Sequence, residues 1–126
     1  MILYHFTDFW FLKNGGTILQ EGLKAGPSDE SFPPTNVVWL TTSPVAVWAI
    51  RPPECRISVV IPSHDRRLVF WKRWAQKHRP DLLEKLAHCD CGIDHGPAIE
   101  TNYCYFGSLP LTMFRAVEYA DPERRA

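Results

Sequence analysis

Apolar positions in this chain come in short runs, not in long helical stripes. Ile2-Leu3-Tyr4-His5 is a β-prone run at the first residues, followed by Thr7-Asp8, side chains suited to capping a helix or closing a turn. His5 is thereby expected at a strand's end. Beyond Gly15-Gly16, the stretch from Thr17 to Leu23 has a polar cap, apolar Ile18 and Leu19, and Gly22 where a left-handed stop is needed, which predicts a short helix. Lys24 to Asn36 has the composition of a loop, with Gly26-Pro27, Ser28, Asp29 and Pro33-Pro34. Val37-Val38-Trp39-Leu40-Thr41 is too short for a helix and apolar enough for a central strand. Ser43-Pro44 then supplies an N-cap and a first-turn proline, predicting a short helix over Val45 to Ile50.

The second half alternates in the same way. Arg56 to Pro62 reads as a strand, and Leu68 to Leu86 carries a helical stripe at Leu68, Trp71, Ala75, Leu82 and Leu86, interrupted near Pro80. Tyr103 to Phe106 and Met113 to Tyr119 read as closing strands joined through Gly107 and Pro110. The order β-α-β-α-β-α-β-β predicts an α+β domain. Eleven prolines cut the chain into short elements and exclude a helical bundle.

Composition narrows the class. A chain of 126 residues, 45% hydrophobic and 22% charged, predicts one globular domain over residues 1–126. Its formal net charge of +0 provides no global field toward nucleic acid or an anionic membrane, so any polyanion must be gripped locally. No apolar run reaches the roughly 20 residues of a spanning helix, and Met1 to His5 lacks the basic start and small-residue cleavage site of a signal peptide. The expectation is a cytoplasmic protein with no membrane partner. Cys55, Cys89, Cys91 and Cys104 are expected as thiols, since so much apolar material needs no staples.

Four signals stand in a fixed order: strand-ending His5-Phe6-Thr7, the helix Ile18-Leu19-Gln20-Glu21-Gly22-Leu23, the strand Val37-Val38-Trp39-Leu40, and Trp48. This order resembles the histidine-containing branch of the ADP-ribosyltransferases, the branch of the poly-ADP-ribose polymerases and diphtheria toxin. The resemblance covers the first half of the chain well and the closing strands loosely. It implies a split β-sandwich of two small sheets flanked by short helices, with an NAD cleft between them. It also implies NAD as substrate and transfer of ADP-ribose to a protein or nucleic-acid acceptor, or hydrolysis of NAD. His5 and Thr7 would hold ribose, and Trp48 and Trp39 would stack nicotinamide, with Thr41 and Thr42 on the same rim. Phe6 stands where the family prefers glycine for close backbone approach. The family's catalytic glutamate position falls on Asn102, with Glu100 two residues earlier on the same strand face, about 6 to 7 Å away, so the resemblance implies that Glu100 or Asn102 acts at the scissile bond.

Each assignment has a plainer counterpart. Trp39 suits a core position, Thr41 and Thr42 suit the turn before Pro44, and Glu100 suits a solvated loop. His88, Cys89, Cys91 and His95 are zinc-type ligands, yet one residue between the cysteines, where structural sites usually have two, argues against zinc. Arg66, Arg67, Lys72, Arg73, Lys77 and Arg79 surround Trp71 and Trp74, suiting a solvated helix face or a phosphate grip. Two other functions therefore stand beside the transferase: a non-catalytic nucleotide, RNA or protein binder on the same scaffold, and an RNA 2′-phosphotransferase-like enzyme.

Overall fold

Residues 1–8, 11–12, 16–26, 33–46, 52–89, 94–121 and 123 are described by a computed structural model. The β-branched and aromatic runs become six strands: β1 (Ile2–Thr7), β2 (Val38–Thr41), β3 (Cys55–Val60), β4 (Leu68–Phe70), β5 (Asn102–Tyr105) and β6 (Phe114–Tyr119). Between them lie α1 (Ile18–Glu21), α2 (Trp71–His78), α3 (Pro80–Ala87) and α4 (Gly96–Thr101). The architecture is α+β, as the element order predicts.

All strand pairs are antiparallel, in the order β4-β5-β2-β1-β3-β6. The strands make one open sheet and not two separate ones, because Tyr4 of β1 pairs with Thr41 of β2. That join is narrow. β1 registers with β3 from Ile2↔Val60 to Thr7↔Cys55, and β2 with β5 from Val38↔Tyr105 to Thr41↔Asn102, whereas β1 and β2 meet at the single pair Tyr4↔Thr41.

Strand alternation separates two apolar clusters. Leu3, Val38, Leu40, Ile57, Val59 and Tyr105 pack together on one side, where Ile18 and Leu19 of α1 cover them. Val37, Trp71, Ala75, Leu82 and Cys104 pack on the other, beneath α2 and α3. Cys55 and Cys104 therefore act as small buried apolar residues in different clusters, and burial pushes the Cys104 thiol far up. At the β4 edge the buried Tyr105 donates its hydroxyl hydrogen to Asp65 at 2.8 Å, with the Arg67 guanidinium 5.1 Å from its ring centre. Donation from the Arg67 backbone N–H, then from its side chain and from Tyr105, holds the Asp65 carboxyl down at about 2.

His5 stands inside β1 and not at its end, because pairing with β3 continues through Phe6↔Arg56 to Thr7↔Cys55. Two predicted elements also differ. Leu68, Val69 and Phe70 form strand β4, not the first turn of a helix, because Leu68↔Tyr105, Val69↔Cys104 and Phe70↔Tyr103 pair before the chain turns into α2. Three apolar residues in a row fit either period, and pairing with β5 decides. Ser43 to Ala46 is not helical: the Ser43 hydroxyl donates to the Val45 carbonyl at 2.7 Å, closing a turn. The remainder of that predicted helix, residues 47–50, lies outside the described residues.

Candidate functional site

Past the Tyr4↔Thr41 pair, β1 and β2 part company. Continuing their antiparallel register would set Phe6 opposite Trp39, but the pairing stops short of it. The His5 imidazole enters the opening and donates Nδ1–H to the Trp39 carbonyl at 2.8 Å. A carbonyl only accepts, so the neutral ring carries its hydrogen on Nδ1 and keeps Nε2 as an acceptor. Burial pushes the His5 pKa below its ordinary value, and the bond to Trp39 offsets part of that. The side chain thus acts as a neutral wedge between two strands.

Two grooves meet at this wedge. The first, about 440 Å³, is lined by Tyr4, His5, Phe6, Trp39, Leu40, His95, Ala98 and Asn102. The second, about 390 Å³, lies on the α1 side, where Thr7, Thr17, Gly22 and Lys24 join His5 and Trp39. Both volumes lie within the ordinary range for small-molecule sites. Gly22 shapes the second groove: its φ is +83°, and a Cβ there would sit 2.2 Å from the Leu109 carbonyl oxygen. The neighbouring Leu23 exchanges backbone hydrogen bonds with Leu109 at 2.9 and 2.7 Å. The glycine expected at the helix stop is therefore required by both conformation and space.

α4 forms the far wall of the first groove. Gly96-Pro97 starts this helix, with proline in its first turn. At about 100° per residue, His95, Ala98 and Asn102 share one stripe, while Glu100 lies about 140° round from His95. The contacts agree. The Glu100 carboxylate accepts from the Lys72 ammonium at 2.6 Å, and its side chain is 61% exposed. Asn102, at the start of β5 opposite Thr41, lines the groove.

The structure therefore brings His5, Phe6, Trp39 and Asn102 to one groove, and Thr7 to its neighbour. Glu100 stands outside both sets of described lining residues. So do Thr41 and Thr42: Thr41 is fully buried and accepts the Ser43 backbone N–H at 3.0 Å, while the Thr42 N–H donates to the Thr101 carbonyl, tying β2 to α4. Trp48 lies outside the described residues. His95 is the residue that spacing along the sequence missed, because proximity grouped it with Cys89 and Cys91; the helix start at Gly96-Pro97 is the signal that sets it on the Asn102 stripe. Of that zinc-type set, His88 and Cys89 are exposed and Cys91 lies outside the described residues. Among the described residues no three His, Cys, Asp or Glu side chains gather as a metal site.

The cationic stretch is half neutralised. Arg67 pairs with Asp65, Lys72 with Glu100 and Arg79 with Asp81. Trp71 is buried and donates its indole N–H to the Pro33 carbonyl at 3.0 Å, and Trp74 stacks on His78 with 5.1 Å between ring centres. Comparison with protein-family models, with curated proteins and with solved structures finds no match to this chain.

Proposed function

We propose that the protein binds NAD across the opening between β1 and β2 and is an ADP-ribosyltransferase-like enzyme, cleaving the nicotinamide–ribose bond and passing ADP-ribose to an acceptor. In this reading the one open sheet works as two three-stranded halves, β4-β5-β2 and β1-β3-β6, hinged at Tyr4↔Thr41, and these halves take the part of the two small sheets that the sequence resemblance implies. The observation that carries the reading is the His5 wedge. Its Nδ1–H is committed to Trp39, so a neutral Nε2 acceptor remains for a ribose hydroxyl. The two adjoining grooves suit the two ends of a dinucleotide. The first is apolar and aromatic, fitting a flat nicotinamide against Trp39. The second offers Thr7, Thr17 and Lys24 to sugar hydroxyls and phosphate.

Cleavage builds positive charge on the sugar carbon as its bond to the nicotinamide nitrogen lengthens. The Trp39 ring face stabilises a cation nearby. The Asn102 amide can donate to and accept from the ribose hydroxyls, holding the sugar without taking a proton. Neutral lining residues give weaker transition-state stabilisation than a carboxylate would, so slow turnover is expected. The same feature supports a second reading: among the described lining residues of the first groove none is acidic, which favours a non-catalytic NAD binder on this scaffold. Purified protein with NAD separates the two. The enzyme reading expects saturable binding by calorimetry together with released nicotinamide; binding without release leaves the binder, and absence of binding removes both.

A further inference from the structure

The first groove holds two imidazoles, and the NAD reading employs only one. His5 is occupied at Nδ1 by the Trp39 carbonyl, and its Nε2 is assigned to ribose. Burial disfavours a second proton on that ring, so His5 is a poor place to store one during turnover. The Asn102 amide is neither acid nor base in water. His95 differs from both in position. It is half-buried between exposed Asp94 and Gly96, at the outer end of the α4 stripe, whereas Ala98 one turn on is buried. His95 lines the same groove as Asn102 and is only half-buried, so a proton taken there has a route back to water. The Asp94 carboxylate accepts the Gly96 backbone N–H at 2.9 Å, which fixes the chain at the helix start beside the ring.

We propose that His95 is the general base of the transfer step, taking the proton of the attacking hydroxyl or water. This assignment rests on the NAD reading above. In the step, the acceptor oxygen bonds to the sugar carbon, and the carbon–nitrogen bond breaks with its electron pair going to nicotinamide, which leaves neutral. The O–H proton moves to a ring nitrogen of His95 and then to solvent. Atoms and charge balance: NAD and water give ADP-ribose, nicotinamide and one proton. A base in this position compensates for the neutral amide at Asn102, because the nucleophile is activated by a different group from the one that holds the sugar.

The test uses NAD alone with water as nucleophile, comparing wild type, His95→Ala and His95→Gln by nicotinamide release and by calorimetric NAD affinity. Both variants should lose about 100-fold or more in kcat, with NAD affinity unchanged within about 2-fold. Added imidazole should restore turnover to His95→Ala while leaving wild type unaffected, a response that a structural role would not give. His95→Gln, which keeps a polar side chain of similar reach, guards against loss through misfolding. Undiminished turnover in both variants, or a loss that imidazole does not repair, overturns the assignment and leaves the NAD reading standing. Wild type that binds NAD without releasing nicotinamide also overturns it. Wild type that does not bind NAD overturns both.

Discussion

His5 has two separable tasks, and two substitutions pull them apart. Asn places an amide nitrogen near the position of the imidazole Nδ1, so His5→Asn keeps the donor to the Trp39 carbonyl and removes the Nε2 acceptor. Leu fills similar volume with neither nitrogen. The His5–Trp39 bond is 2.8 Å long at a half-buried position, so leaving its acceptor unpaired costs about 1–2 kcal/mol, the lower part of the range for unsatisfied groups. For a chain of 126 residues that lowers Tm by roughly 4–8 °C in His5→Leu, with His5→Asn close to wild type. NAD binding should follow the other atom: loss of one neutral hydrogen bond to ribose weakens Kd by roughly 2- to 13-fold in both variants. Thermal melts and calorimetry on the three proteins provide the comparison. The pH dependence has a definite sign. The folded His5 pKa lies below the ordinary 6.5, so the unfolded chain binds the extra proton first and stability falls as pH drops through 6.5 toward the folded value. His5→Asn should remove that slope. Equal melting losses in His5→Asn and His5→Leu would refute the wedge, and unaltered NAD affinity in His5→Asn would refute the ribose contact.

Gly22→Ala puts a Cβ 2.2 Å from the Leu109 carbonyl oxygen at a φ of +83°, so the Leu23–Leu109 bonds must open. Left-handed strain plus two weakened hydrogen bonds cost about 2–4 kcal/mol, read as a fall in the urea midpoint with an unchanged slope. Asp65 is held at about 2, below the usual carboxylate value, so its contribution is complete above pH 4 and disappears as pH falls toward 2. Asp65→Asn should flatten acid unfolding over that interval, as followed by circular dichroism. Glu100→Gln should leave NAD affinity and nicotinamide release as in wild type, because the carboxylate faces Lys72, whereas Asn102→Ala should lower both. A Glu100→Gln variant without turnover would return the scissile-bond role to that carboxylate.

The first half of the chain was the more legible. A β-prone run from Ile2, a glycine after Ile18-Leu19, and an apolar run at Val37–Thr41 each carry a local rule, and strands and a positive-φ glycine appear there, although β1 continues past His5 to Thr7. What local rules could not express was pairing. Leu68–Phe70 fits a helical stripe as well as a strand, and only contact with β5 distinguishes the two. The Glu100/Asn102 ambiguity arose from assuming a strand across both. With Glu100 inside α4 and Asn102 just beyond it, two residues no longer share a face, and helical rotation sends the carboxylate to Lys72. His95 is hidden in the sequence for a similar reason: its neighbours along the chain are cysteines, while it lines the groove together with His5 and Asn102. The opening between β1 and β2 has no signature in the sequence at all, since it depends on a register that stops after one pair.

The claim that NAD lies across the β1–β2 opening is tested most directly by nuclear magnetic resonance of nitrogen-15-labelled protein titrated with NAD. The account predicts that the His5 ring nitrogen Nε2, the Trp39 indole N–H and the Asn102 side-chain amide shift together along one saturating curve. Signals at those three groups that stay fixed while NAD binds elsewhere, or that stay fixed at millimolar NAD, would contradict it.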